Sequence, residues 1–159
     1  YAVGLWDFDE GKNGTCSDGK DICDFSGNKN NGKNYGATWT TNTPSGKGYS
    51  LSFDGINDYV ALNMHYENGD SLPEFTIAAW YKTDFSGGSW SNNWALLDFD
   101  RSEWFDVYIR ADNGKLGFSG SDGINDYFDI YANTASNDGK WHYGVVVYSS
   151  SKKFVKFYL

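Results

Sequence analysis

Oxygen-bearing side chains recur at every second position of one short loop. Asp24, Ser26, Asn28 and Asn30 are separated by single residues, and Gly27 lies among them. Calcium takes roughly six to eight oxygen ligands, and alternate side chains of a flexible loop can converge on one ion. The spacing therefore predicts a calcium site at Asp24, Asn28 and Asn30. The competing interpretation is a turn that its own side-chain hydrogen bonds hold together.

A second polar loop offers the same chemistry. Asp54, Asn57 and Asp58 present carboxylate and amide oxygens within five residues. We predict Asp54 and Asp58 as further metal ligands, and Asp9 and Glu10 are additional candidates near the start of the chain. Neither loop is an EF-hand, because the bidentate Glu and the flanking helices are missing. If the two loops meet in space, they form one site.

Indole rings in polar surroundings point to carbohydrate binding. Pyranose sugars present apolar faces that stack on flat aromatic rings, while nearby amides and carboxylates bind the hydroxyls. Trp90 and Trp94 lie in a stretch rich in Ser and Asn. In the predicted strand that follows, Trp104 lies on the face opposite Phe105 and Val107. We predict Trp90, Trp94 and Trp104 as ligand contacts, with core filling as the alternative. Core filling is the role expected of three other tryptophans, Trp6, Trp80 and Trp141.

Residues 98–103 are the strongest candidate for catalysis. Retaining glycosidases need two carboxyl groups about 5–5.5 Å apart, and the spacing of Asp98 and Asp100 puts both on one sheet face. Glu103 lies an odd number of residues from both, so it does not continue that row. Neither His65 nor His142 belongs to a nucleophile or zinc-protease motif. We therefore expect no catalytic activity and no catalytic residues.

Cys16 and Cys23 are the two cysteines of the chain, seven residues apart in a polar, glycine-rich stretch. A disulfide between them would close a small loop and stabilise it by about 2–3 kcal/mol through chain entropy. Such a bond forms in oxidising compartments, so it predicts a secreted or cell-surface protein. The alternatives are two free thiols in the cytosol or a zinc site, but these spacings match no structural zinc pattern.

Composition excludes several classes of protein. The chain has 159 residues, 19% of them aromatic, and a formal net charge of −8. The length suits a single domain over residues 1–159, and the acidic surface excludes nucleic acid as a partner. No apolar stretch approaches the roughly 20 residues of a membrane-spanning helix, so no membrane insertion is expected. Because Leu159 falls inside a predicted strand and Tyr1 is not Met, we expect a domain truncated at its C-terminal end within a larger protein with further domains.

Period-two alternation of apolar residues dominates the sequence and predicts strands. In residues 74–83, for example, Phe75, Ile77 and Tyr81 share one face. Asn113 and Gly114 give the best hairpin signal, because both tolerate the positive φ of a type I′ turn. The expected strands are 3–8, 37–40, 49–53, 59–62, 74–83, 94–99, 104–110, 115–118, 127–131, 141–148 and 153–159. Short strands at this spacing indicate a sandwich or barrel.

Several motifs in a fixed order resemble a known family. They are GLWDFDEG at 4–11, DFSGNKNNG at 24–32, GATW at 36–39, SLSFDG at 50–55, NDYV at 57–60, FTIAAW at 75–80 and DGKWH at 138–142. The order resembles laminin-G-like and pentraxin-like domains of the concanavalin A-like lectin/glucanase superfamily. The resemblance implies an all-β fold of two antiparallel sheets packed as a jelly-roll sandwich, frequent calcium, and attachment to larger extracellular proteins. It implies function only weakly, because such domains bind glycans or proteins or merely space other modules.

These observations lead to one leading hypothesis and two alternatives. The leading hypothesis is a non-catalytic extracellular carbohydrate-binding or adhesion module, stabilised by calcium, whose partners are glycans or cell-surface proteins. The alternative is a structural or protein-interaction domain, such as the head of a pilin-like or other surface filament protein. A glycan-cleaving enzyme is the least favoured.

Overall fold

The computed structural model describes residues 2–64, 73–88, 93–99, 106–121 and 127–159, and every regular element in these ranges is a strand. The strands are β1 (Gly32–Tyr35), β2 (Thr38–Thr40), β3 (Ser50–Ser52), β4 (Tyr59–Leu62), β5 (Glu74–Lys82), β6 (Trp94–Asp98), β7 (Asp106–Ile109), β8 (Lys115–Ser121), β9 (Tyr127–Ala135), β10 (Trp141–Ser149) and β11 (Phe154–Tyr158). All their pairings are antiparallel, which confirms the all-β class. The described part of the chain contains no helix long and apolar enough to cross a membrane.

The chain divides into two compact units, Tyr1–Glu67 and Asn68–Leu159. The first unit contains two small sheets, in which β1 pairs with β4 and β2 pairs with β3. The described residues before β1 form no strand, only an isolated bridge between Ile22 and Gly32. The single domain expected over residues 1–159 stays a prediction.

The strand predicted at residues 3–8 is wrong. Val3 and Leu5 are 69% and 55% exposed, so the side that they share is not buried, and Trp6 and Phe8 on the other side are only partly buried. The backbone N–H of Leu5 donates to the carboxylate of Asp24 rather than to a neighbouring strand. Phe8 adopts a φ of 56°, a left-handed conformation that breaks an extended strand. Side chains elsewhere in the unit thus compete successfully for the hydrogen bonds of this segment.

The second unit is a sandwich of a three-stranded sheet, in the order β11-β10-β5, and a four-stranded sheet, in the order β6-β7-β8-β9. Alternation along each strand sends one set of side chains between the sheets and the other set outward. Tyr81 and Val146 from the three-stranded sheet meet Val107, Leu116 and Phe118 from the four-stranded sheet in one buried cluster. This packing agrees with the two-sheet sandwich expected from the sequence.

The β7–β8 hairpin confirms the turn signal at Asn113 and Gly114, but its loop is longer than a two-residue turn. Strand pairing continues to Arg110, whose N–H donates to the carbonyl of Lys115 at 2.9 Å. Of the two turn residues, only Gly114 adopts a positive φ, of 68°. The side chain of Asn113 instead accepts a hydrogen bond from the N–H of Lys115 at 3.1 Å. Asn113 therefore stabilises the loop through its amide and not through a left-handed backbone.

Candidate functional site

The carboxylate of Asp24 lies at the centre of the first predicted calcium loop. Its Oδ1 accepts from the N–H groups of Leu5 and Ser26 at 3.0 and 2.8 Å. Its Oδ2 accepts from Ser26 Oγ at 2.8 Å and from the N–H of Asn30 at 2.9 Å. Desolvation opposes ionisation, but these hydrogen bonds outweigh it and lower the pKa of Asp24 to about 2. Asp24 is therefore a charged anchor for the backbone around it.

The amides of Asn28 and Asn30 hold the start of the chain against this loop. Asn28 Nδ2 and Asn30 Nδ2 donate to the carbonyl of Val3 at 3.0 and 2.9 Å, and Asn28 Nδ2 also donates to the carbonyl of Ala2. The structure thus brings Asp24, Asn28 and Asn30 together, as their spacing indicated. A carboxylate has about four lone-pair sites, and Asp24 already accepts from four donors. Calcium at this loop would have to displace a donor, and it stays a prediction.

The loop of Asp54 and Asp58 leaves more room for a cation. Asp58 Oδ2 accepts from the N–H of Asp54 at 2.9 Å, and Asp54 Oδ1 accepts from the N–H of Ile56 at 2.8 Å. Each carboxylate keeps one oxygen without a donor among the described residues. No hydrogen bond between described residues joins this loop to the loop of Asp24. Asp58 Oδ1 also lies where a Cβ on Gly36 would sit, so Gly36 must remain glycine.

A disulfide joins Cys16 and Cys23, with their Cα atoms 5.3 Å apart, which confirms the predicted bond. Glu10 Oε1 accepts from the N–H of Cys23 at 2.7 Å. The carboxylate of Glu10 and the two sulfur atoms lie within 4.8 Å of one another. Because the sulfur atoms are bonded to each other, they are not thiolates available to a metal.

Asp21 is the buried acid that the sequence analysis missed. Its side chain is fully buried, it lies within the loop that the disulfide closes, and its carboxylate accepts from the N–H groups of Gly14 and Asn34 at 2.8 and 2.9 Å. Lys33 Nζ lies 3.0 Å away. Burial alone would raise the pKa of Asp21, but these hydrogen bonds and the charge of Lys33 lower it. Nothing in the local sequence distinguishes Asp21 from the exposed Asp18, so no pattern would have found it.

Of the three tryptophans predicted as ligand contacts, only Trp94 lies among the described residues, so the site stays a prediction. Trp94 is partly buried, packs against the core and meets the ring of Phe85 edge-on at 4.9 Å. Trp90 and Trp104 lie outside the described residues. Trp80, by contrast, is 55% exposed, so the expectation that it fills the core is wrong. The alternation that turns Tyr81 into the core turns Trp80 outward.

Three exposed aromatic residues share the outer side of the three-stranded sheet, and we call Trp80, Tyr143 and Tyr158 the aromatic face. Trp80 and Tyr143 are directly opposite in the β5–β10 register, and their ring centroids lie 5.1 Å apart. Tyr158 pairs with Val145, two residues along β10 from Tyr143. The exposed fractions are 55% for Trp80, 47% for Tyr143 and 55% for Tyr158. Such exposed rings present flat apolar surface with a polar edge, the combination found at binding interfaces.

The outer side of the four-stranded sheet differs because a cation covers its exposed ring. The Arg110 guanidinium lies 4.6 Å from the ring centroid of Tyr131. The same guanidinium forms two hydrogen bonds of 2.9 Å with Asp112 and one of 2.9 Å with Asp129. Its hydrogen bonds with Asp112 raise the pKa of Arg110. Lys115 Nζ is a second cation, 5.2 Å from the Tyr131 centroid. Tyr131 thus already has a cationic partner within the protein.

The candidate catalytic carboxylates are described only in part. Asp98 ends β6 and lies directly opposite Asp106 of β7, a neighbour that the sequence analysis did not identify. Ser119 Oγ donates to Asp106 Oδ1. Asp100 and Glu103 lie outside the described residues, so their distances from Asp98 are not described. The absence of catalytic activity stays a prediction.

The two histidines give no nucleophile–base pair among the described residues. His142 is partly buried, and its Nε2 lies 2.8 Å from Asp138 Oδ1. Hydrogen bonding by His142 and by the N–H of Lys140 lowers the pKa of Asp138 to about 2. His65 lies outside the described residues. His142 therefore has a structural partner at the start of β10.

Comparison with known proteins gives one match. The family model described as the concanavalin A-like lectin/glucanases superfamily matches residues 53–159. This segment includes β4 and every strand of the second unit, and therefore the whole aromatic face. No curated protein and no solved structure gives a significant match.

Proposed function

The chain belongs to the concanavalin A-like lectin/glucanase superfamily, and on that premise we propose that it is a non-catalytic extracellular module that binds carbohydrate or adheres to cell surfaces. Its partners would be glycans or glycosylated surface proteins. The observation that carries the proposal is the aromatic face. Trp80, Tyr143 and Tyr158 expose about half of their surface on one side of a single sheet.

Exposed rings of this kind favour sugar binding for a physical reason. A large aromatic side chain offers roughly 150–250 Å² of surface, and burying apolar area contributes about 25 cal/mol per Å². Tyr and Trp also lose little conformational entropy on binding, because each has only two side-chain torsions. The C–H faces of a pyranose can stack on such rings, while the phenol O–H groups of Tyr143 and Tyr158 bind the sugar hydroxyls.

The charge pattern of the same face favours binding without cleavage. Glycoside hydrolysis by the usual routes needs two carboxyl groups flanking the scissile bond. On the outer side of β5, β10 and β11, all of which the structure describes, Glu74 is the one acid. Its Oε1 accepts from Ser149 Oγ and Ser151 Oγ, both at 2.9 Å, and these hydrogen bonds lower its pKa. Glu74 would therefore remain ionised and could not serve as a general acid near neutral pH.

Two further features support an extracellular role. The Cys16–Cys23 disulfide is typical of proteins that mature in oxidising compartments. Calcium is part of the proposal as a structural ion, and Asp54 and Asp58 fit it better than Asp24 does, because each keeps a carboxylate oxygen without a donor among the described residues. Calcium there would neutralise two nearby negative charges.

A glycan array tests the proposal. The intact chain, labelled away from the aromatic face, should bind a subset of immobilised glycans, and a chelator should lower its melting temperature. Retained melting temperature after chelation would remove calcium from the proposal. Binding to no glycan by a folded chain would overturn the carbohydrate role and favour the structural alternative, such as the head of a surface filament protein.

A further inference from the structure

The aromatic face has a lysine beside each of its two outer rings. Lys82 follows Trp80 by two residues on β5, and Lys156 precedes Tyr158 by two residues on β11. Residues two apart along a strand point to the same side of the sheet, about 7 Å apart. Trp80 and Lys82 are therefore neighbours on one surface, as are Tyr158 and Lys156, with Tyr143 beside Trp80.

The two lysines are the charged groups of this surface that have no acidic partner. Both are exposed, and neither forms an ion pair with an acid among the described residues. Lys156 Nζ lies 4.7 Å from the ring centroid of Phe154, which holds its ammonium group near the sheet. Glu74 lies at the Lys156 end of this side of the sheet and accepts hydrogen bonds from Ser149 and Ser151. With two lysines and this one carboxylate, the outer side of β5, β10 and β11 carries a net positive charge within a chain of net charge −8.

The strand register gives the separation of the backbone positions of the two lysines. Lys156 is opposite Val147, which is opposite Thr76, so Lys82 lies six residues further along the strand direction. Six residues correspond to roughly 20 Å, and β5 and β11 are about 9.6 Å apart across the sheet. A ligand that contacts both lysines must be extended and must bear anionic groups that are widely spaced.

We propose that the aromatic face binds an extended acidic glycan of low charge density, a pyranose chain with isolated carboxylates, in preference to a neutral chain or a densely sulfated one. This inference rests on the proposed carbohydrate-binding function. The sugar rings stack on Trp80 and Tyr158, and carboxylates of the chain pair with Lys82 and Lys156. A dense polyanion has further charges that find no cation here, and the net charge of the chain repels them.

Matched polymers test the charge preference. The probes are a soluble β-1,4-glucan, the same glucan with a fraction of its C6 carbons oxidised to carboxylates, and dextran sulfate. The oxidised glucan should bind at least severalfold more tightly than the neutral one, and more tightly than dextran sulfate. Equal binding of the neutral and oxidised glucans, or tightest binding of dextran sulfate, overturns this inference and leaves the proposed function intact. Binding to none of the three by a chain that binds other glycans on the array also overturns it, and binding to no glycan at all overturns both proposals.

Three single substitutions test whether the lysines beside the aromatic face cause the preference for the oxidised glucan. Lys82→Gln and Lys156→Gln should each weaken binding of the oxidised glucan by roughly two- to fivefold, the range of an exposed ion pair, and leave the neutral glucan unchanged. Lys115→Gln removes the same charge from the other sheet and serves as the matched control. An effect of Lys115→Gln equal to that of the other two would show a general charge effect and contradict the assignment.

Discussion

The two units of this chain are ordered by different interactions. Among the described residues of the first unit, the large side chains that are fully buried are those of Ile22 and Asp21, and carboxylates such as Asp24 accept hydrogen bonds from distant backbone groups. In the second unit, aromatic and aliphatic side chains such as Phe118 and Leu116 fill the space between two sheets. The carboxylates of Asp21 and Asp24 are already occupied by donors, whereas the three-stranded sheet of the second unit packs on an apolar core and exposes the aromatic face. The difference explains why we assign carbohydrate binding to the second unit.

The largest expected effect on stability comes from truncating a side chain in the core of the second unit. Phe118 is completely buried and contacts the rings of Phe75, Phe128 and Tyr148 at centroid distances of 5.2–5.4 Å. Phe118→Ala should lower the free energy of unfolding by about 3–5 kcal/mol, measured from the denaturant dependence of hydrogen exchange in β7, β8 and β10. Phe25→Ala, at a ring that is 59% exposed, is the control and should change little. Similar losses for both would contradict the role of the apolar core.

A smaller effect is expected at the polar centre of the first unit. Asp21→Ala leaves the N–H groups of Gly14 and Asn34 without their acceptor. Because Asn34 is buried and Gly14 is exposed, the loss of the acceptor of one buried N–H should destabilise residues 14–34 by about 1–3 kcal/mol. Asp21→Asn keeps one acceptor oxygen and should lose less. Unchanged exchange protection around Asp21 in the alanine variant would show that the disulfide alone orders this loop.

Strand alternation explains what could be predicted of the fold. It predicts β5 to within one residue of its observed end. It also predicts correctly that Phe75, Ile77 and Tyr81 face the core. The same alternation places Trp80 outside, and the expectation of a core position rested on the hydrophobic character of Trp instead of its place in the strand. β1 was missed because its buried positions are Gly32 and Asn34, which carry no apolar signal.

The site was harder to predict than the fold because spacing does not specify partners. Asp24, Asn28 and Asn30 do share a loop, but the amides of Asn28 and Asn30 donate to the carbonyl of Val3, 25 and 27 residues away. Asp24 Oδ1 accepts from the N–H of Leu5, 19 residues away. The disulfide was predicted because two cysteines allow one pairing. The aromatic face depends on the β5–β10–β11 register, which brings together residues more than 60 positions apart. No local pattern contains that information.

The affinity of one glycan for two alanine variants tests the central claim most directly. Trp80→Ala removes an uncovered ring from the aromatic face, whereas Tyr131→Ala removes a similarly exposed ring that Arg110 covers on the other sheet. With the best glycan from the array, Trp80→Ala should raise Kd at least about tenfold, equal to about 1.4 kcal/mol, and Tyr131→Ala should leave Kd within about twofold, because surface changes of this kind stay within about 0.5 kcal/mol. Unchanged Kd for a folded Trp80→Ala variant, or an equal loss for Tyr131→Ala, would contradict the assignment of binding to the aromatic face.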